Sequence, residues 1–177
     1  MIIYLVRHAM ADPATPDQAD ADREVSKQGQ DKLKSTVDLF AAKKVNKLDP
    51  TLIISSPIVR SMQTATIIAG EVGYDPAKIV QEPELAPDGD AAKAFANMKD
   101  LATSDSDQVM MVGSNPVITA LGQIIHGLGT KAGQSGAIRF KKAAMVRFDV
   151  NALNGKYPSA ELMNIVSPGI AEAAKKL

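Results

Sequence analysis

The chain opens MIIYLVRHAMAD, with an apolar run from Ile2 to Val6 that stops at the charged pair Arg7-His8. A short apolar run without strict alternation marks a strand buried on both faces, as in a parallel sheet covered by helices. Sites in open α/β sheets lie beyond the carboxyl ends of such strands. Arg7 and His8 therefore stand where chemistry usually sits, and the rest of the chain is read as scaffold and partner groups for them.

Strand-like and helix-like pieces alternate after that point. A polar segment rich in Asp and Pro, up to about Arg23, reads as a loop on the rim of any site at the end of the first strand. Ser26 is a helix N-cap, followed by Leu33, Val37, Phe40 and Ala41 at helical spacing. The lysines Lys43, Lys44 and Lys47 then fit a solvated helix end better than a nucleic-acid patch. Thr51 to Ile54 is a second strand. Ser56 as N-cap and Pro57 as first helical residue predict a helix carrying Ile58, Met62, Ala65, Ala69 and Val72 on one face and Arg60 near its start. The free amides of a helix start favour an anion there.

Ile79-Val80 is a short strand, and Gln81 to Asp90 is a turn-rich acidic loop. Ala91 to Leu101 is a helix with Ala92, Phe95 and Met98 or Lys99 inward. Gln108 to Val112 is a clear buried strand ending in Gly113-Ser114-Asn115-Pro116. Pro116 opens a helix with a stripe of Ile118, Leu121, Ile125 and Leu128, broken by Gly127, Gly129, Gly133 and Gly136. Ala137 to Phe140 and Met145 to Val150 look like antiparallel strands, and a short helix starts near Pro168. No repeat or linker divides the chain, so residues 1–177 are expected to form one domain.

Composition narrows the function classes. Net charge is zero and the pI is near 6.7, so no global positive field argues for nucleic acid or an anionic membrane. Aromatics at 4%, with no Trp, offer little surface for stacking bases. The absence of cysteine excludes thiol catalysis and cysteine metal sites. Neither a signal peptide nor a long apolar span is indicated, which makes a cytoplasmic location the default expectation.

Three strands thus deliver Arg7-His8, Ser55 to Arg60, and Gly113 to Pro116 to one sheet edge. Two guanidinium groups and an imidazole suit phosphoryl chemistry: the arginine forks match phosphate oxygens bidentately, and an unprotonated His8 is a nucleophile. His126, roughly three helical turns beyond Ser114 and so over about 10 Å away, fits a helix-end histidine better than a second catalytic one. Two histidines so placed, with loop carboxylates of no ligand spacing, imply no metal cofactor.

The motifs Leu5-Val6-Arg7-His8, Ser26 to Gly29, Ser56-Pro57 with Arg60, Gln63 and Thr64, Pro83-Glu84-Leu85 with Pro87 and Gly89, and Val112-Gly113 with Asn115-Pro116 occur in the order and with the gaps of a known family. Through them the chain resembles the histidine phosphatase superfamily, and within it the compact bacterial phosphohistidine phosphatases. The resemblance implies a phosphoglycerate-mutase-like α/β fold, a three-layer sandwich whose mostly parallel central sheet has helices on both faces. It implies His8 as the phosphorylated nucleophile and Arg7 and Arg60 as the phosphate clamp. Asn115 and the backbone near Gly113 would shape the pocket, with Glu84 a candidate proton donor and inorganic phosphate or a similar anion able to occupy the site.

Two departures stand out: Ala9 follows the histidine where the family has glycine, and Ser114 stands where the family has its second catalytic histidine. Serine donates one neutral hydrogen bond and carries no charge, and losing such a transition-state contact costs on the order of 10²–10³ in rate. Ser114 is read as a natural variation on an easy substrate, as the mark of a degenerate member that binds phosphorylated groups, or as a deliberate substitution. The expected function is a metal-independent, cofactor-free phosphatase acting on phosphohistidine in a signalling protein or on a small phosphorylated compound, with impaired rate. The rival is a non-catalytic phospho-group binding module.

Overall fold

The computed structural model describes residues 1–41, 47–103, 105–128, 138–151, 153 and 158–175. Lys43, Lys44, Gly129, Gly133, Gly136 and Ala137 lie outside the described residues. In chain order the elements are β1 (Ile2–Arg7), α1 (Lys27–Ala41), β2 (Leu52–Ser55), α2 (Val59–Val72), β3 (Val80–Gln81), α3 (Ala91–Leu101), β4 (Gln108–Gly113), α4 (Val117–His126), β5 (Met145–Asn151), β6 (Ser159–Val166) and α5 (Pro168–Ala174).

One six-stranded sheet runs in the order β3-β2-β4-β1-β5-β6. The β3, β2, β4 and β1 pairings are parallel, and β5 and β6 extend the sheet through antiparallel pairs. The failure of β1 to alternate has its reason here. Ile3 and Leu5 point into a core with Met98, Ile118 and Leu121 of α3 and α4, while Tyr4 and Val6 point into another with Leu33, Val37, Ala65 and Ile68 of α1 and α2. Successive side chains of a strand face opposite ways, and both ways are dry. The result is the expected three-layer α/β sandwich.

Several local expectations are corrected by the tertiary structure. Ser56 does not cap α2, which begins after Ile58, itself in an extended conformation. The Ser56 amide donates to Val112 O (2.9 Å), so the chain stays attached to β4 for one more residue before it turns. Met62 is only half-buried, because Ser61, Thr64, Ala65 and Ile68 face the sheet. In α3 the buried residues are Ala94 and the expected Met98, with Phe95 partly buried against the same core and Ala92 exposed. Lys47 pairs with Asp49 (2.7 Å). Ile138 to Phe140 form no strand, and β6, which pairs with β5, went unread. Its alternation is blunted by Glu161 and Asn164 among exposed Met163 and Ile165, as befits an edge strand with one face wet.

Candidate active site

Strands β2, β4 and β1 are neighbours, and their register sets Ser55 beside Val112 and Arg7 beside Gly113. The carboxyl ends of the three strands therefore release His8, Ser56 and Ser114 side by side. The His8 amide donates to Gly113 O (3.0 Å). Gly113 suits this crowded edge, since a Cβ there would come within 2.9 Å of Leu85 O.

The family-like motif residues each have a physical task. Thr64 accepts the Ala9 amide (2.9 Å) and donates to Arg60 O (2.6 Å), locking the segment after His8 to α2. Gln63 accepts the Val25 amide (2.7 Å), tying the returning loop to the same helix. Ser26 caps α1 by accepting the Gly29 amide (3.0 Å), and its own amide donates to Met10 O (2.9 Å). Ala9 is fully buried, and it has no positive φ, so alanine is tolerated there.

His8 is 6% exposed. Its Nδ1 lies 2.7 Å from Ala9 O, and a carbonyl only accepts, so Nδ1 carries the proton and Nε2 presents its lone pair. Arg60 Nε donates to that Nε2 (3.3 Å). Burial, above all, pushes the His8 pKa from 6.5 to about 4; the Ala9 carbonyl opposes this, and the charges of Arg60, Arg7 and Lys142 add to it. His8 is thus a neutral, oriented imidazole among cations.

Arg7 donates through Nη1 to Phe140 O (2.9 Å), and its buried Nε has no partner among the described residues. Its pKa is lowered by burial and by Arg60. Arg60, 5% exposed, uses the end of its fork on Asp20: Nη2 meets the carboxylate (2.8 Å) and Nη1 meets the backbone carbonyl. Asp20 also accepts from Arg23 Nη1 (2.9 Å). These two arginines hold the Asp20 carboxyl below its usual range, Arg23 contributing most.

The groups surround a cavity of about 300 Å³ lined by Arg7, His8, Asp20, Arg60, Ser114 and Lys142 among others, including Arg23 and Asn115. Four cationic side chains, Arg7, Arg23, Arg60 and Lys142, face one carboxylate, an arrangement that attracts a multiply charged anion. Ser114 Oγ is buried and unpartnered among the described residues. Asn115 accepts from Thr119 Oγ1 (3.0 Å).

His8, Arg7, Arg60, Ser114 and Asn115 are brought together; Glu84 is not. Its carboxylate accepts the Asp90 amide (2.7 Å) and lies 3.7 Å from Lys93 Nζ, so it ties the acidic loop to the start of α3 instead of facing the cavity. His126 ends α4 and is likewise absent from the lining. Asp20, Arg23 and Lys142 were missed. Asp20 and Arg23 sit in the loop read as a rim, without a motif of their own, and Lys142 has no local signal at all. No cluster of three or more His, Cys, Asp or Glu suited to a metal occurs among the described residues, and no described helix is long and apolar enough to cross a membrane.

Residues 3–86 match the model of the histidine phosphatase superfamily (branch 1). The solved structure of the protein histidine phosphatase SixA complexed with tungstate has a TM-score of 0.77 at 19% identity, over 96% of this chain and 98% of that one. A protein assigned as the phosphohistidine phosphatase SixA of Agrobacterium tumefaciens gives 0.69 at 22%, over 94% and 98%. The mycobacterial glucosyl-3-phosphoglycerate phosphatase in complex with inorganic phosphate gives 0.66 at 15%, over 97% and 98%. At these identities the likeness is one of fold.

Proposed function

We propose that the chain is a member of the histidine phosphatase superfamily, whose model matches residues 3–86, and that it is a metal-independent phosphatase working through a phospho-His8 intermediate. The observation that carries this reading is the neutral His8 with its Nε2 lone pair directed at Arg60, in a cavity lined by cations. In the first step Nε2 attacks phosphorus, an Nε2–P bond forms and the bond to the leaving group breaks. Arg7 and Arg60 neutralise charge on the transferring oxygens. Asp20 must yield the Arg60 fork for bidentate contact. In the second step water attacks phosphorus, the Nε2–P bond breaks and phosphate leaves.

Phosphohistidine is the substrate class that suits the site best. The carboxylate expected to protonate a leaving group, Glu84, is engaged elsewhere, and a protonated imidazole leaves more readily than an alkoxide. The neighbouring solved structures include proteins described as phosphohistidine phosphatases, and also one described as acting on a small phosphorylated sugar acid. A small phosphorylated compound is therefore the second substrate class. With the first class we propose a part in signalling and a location in the cytoplasm.

The test is a steady-state assay with an activated aryl phosphate and a phosphohistidine peptide, with and without EDTA, and with His8→Ala as the blank. EDTA-insensitive turnover that vanishes in His8→Ala, together with an acid-labile phosphoenzyme, is the expected result. Vanadate binding without turnover would instead make the protein a phospho-group binding module, the reading that the unpartnered Ser114 hydroxyl favours.

A further inference from the structure

Lys142 borders the same cavity as His8, Arg7, Arg60 and Ser114. Among the described residues it makes no hydrogen bond or ion pair, whereas the Arg60 fork is taken by Asp20 and Arg7 Nη1 by Phe140 O. Its place is fixed by an unusual turn. Ala143, next in the chain, is buried and has φ 58°, a left-handed conformation that is unfavourable for a non-glycine residue.

Local backbone strain of this kind persists where the surroundings over-determine it, and here the surroundings are the catalytic pair itself. The Ala143 amide donates to both Arg7 O and His8 O (3.1 Å each), and the Arg7 amide donates to Ala144 O (3.1 Å). The Arg7 guanidinium closes the ring of contacts on Phe140 O. The turn that carries Lys142 is therefore bolted to the residues that carry the chemistry.

We propose that Lys142 is a substrate-contacting cation of this site, and that its ammonium, with the free hydroxyl of Ser114, completes the phosphoryl cradle begun by Arg7 and Arg60. The inference rests on the reading of His8 as nucleophile. Lys142 exchanges no proton in the step; the Nε2–P bond forms and the leaving-group bond breaks while the ammonium balances charge on the phosphoryl oxygens. Its charge already reaches the imidazole, as one of the causes that lower the His8 pKa. Its stem also borders a second cavity that contains Lys32, Lys141 and Glu172, but Lys141 does not reach the first. A long flexible stem suits a cation that closes on a substrate after it enters.

The experiment compares Lys142→Met, Lys142→Arg and Lys141→Met. It reads kcat and KM on an aryl phosphate, vanadate affinity by calorimetry, and the His8 imidazole titration by NMR. Lys142→Met is expected to lower kcat/KM by roughly 10–100-fold, to weaken vanadate binding by about tenfold and to move the His8 titration upward. Lys142→Arg retains most of the affinity, and Lys141→Met matches the parent. Unchanged vanadate affinity in Lys142→Met, or an equal loss in Lys141→Met, overturns the proposal. If the parent shows no turnover above the His8→Ala blank, the phosphatase reading fails, and vanadate affinity with the imidazole titration still decides whether Lys142 faces the anion.

Discussion

At His8 the two ring nitrogens differ, and the carbonyl of Ala9 decides how: Nδ1 holds the proton and Nε2 keeps its lone pair, free under our proposal to attack phosphorus. Ser114, on the same cavity wall, is the residue we propose limits turnover. Its hydroxyl is buried, without a partner among the described residues and at the cavity wall, so it offers one neutral donor where a charged group would do more. Replacing Ser114 by His puts an imidazole donor at that wall. We expect Ser114→His to raise kcat by at least ~10-fold with little change in KM, since the added contact acts on charge that develops during transfer. Single-turnover phosphoenzyme formation checks this; an unchanged rate in a folded variant means that the loop after β4 no longer aims a side chain at phosphorus.

Among the elements, α1 packs on the site segment backbone to backbone, and α2 is tied to it through the Thr64 side chain. Gly29, in the first turn of α1, packs so tightly on the segment after His8 that a Cβ would fall 2.1 Å from Met10 O. Helix propensity alone predicts that Gly→Ala inside a helix gains about 1 kcal/mol. Here the clash is backbone against backbone and neither can give way. We expect Gly29→Ala to destabilise the fold by about 1–3 kcal/mol. Gly70→Ala in α2, with nothing within 4 Å of the new Cβ, should stabilise it by about 0.5–1 kcal/mol. Urea unfolding of the two variants beside the parent reads both signs at once.

For the whole molecule, the buried neutral imidazole makes stability depend on pH. The unfolded chain takes up a proton on His8 near pH 6.5, and the folded protein does so only at about 4. Between those values the unfolded state holds more protons, so stability present above pH 6.5 is lost as pH falls, by up to roughly 3 kcal/mol. Asp20, depressed by Arg23 and Arg60, acts in the same direction lower down, below its ordinary value of 3.8. Urea midpoints measured from pH 7 to pH 4.5 should fall for the parent and stay nearly flat for His8→Ala. The same shift keeps His8 unprotonated throughout the neutral range, as the proposed nucleophile requires.

The amino-acid sequence by itself determined the alternation of buried strands and helices, the sheet edge at which Arg7-His8, Arg60 and the Gly113 to Pro116 loop meet, and the resemblance to a phosphatase family over residues 3–86. These follow from local patterns: apolar runs without alternation, a Ser26 cap with Gly29 behind it, and helical stripes, each legible within a dozen or so residues. Only the tertiary structure decided that Ser56 stays bonded to β4 instead of capping α2, and that Glu84 serves the acidic loop instead of the cavity. It alone set Asp20 in the fork of Arg60 and Lys142 beside His8. Those outcomes depend on what lies across the sheet from each residue. Contacts such as Arg60 to Asp20, or the Ala143 amide to Arg7 O, join residues far apart in the chain, and no periodicity within one segment encodes its partner in another.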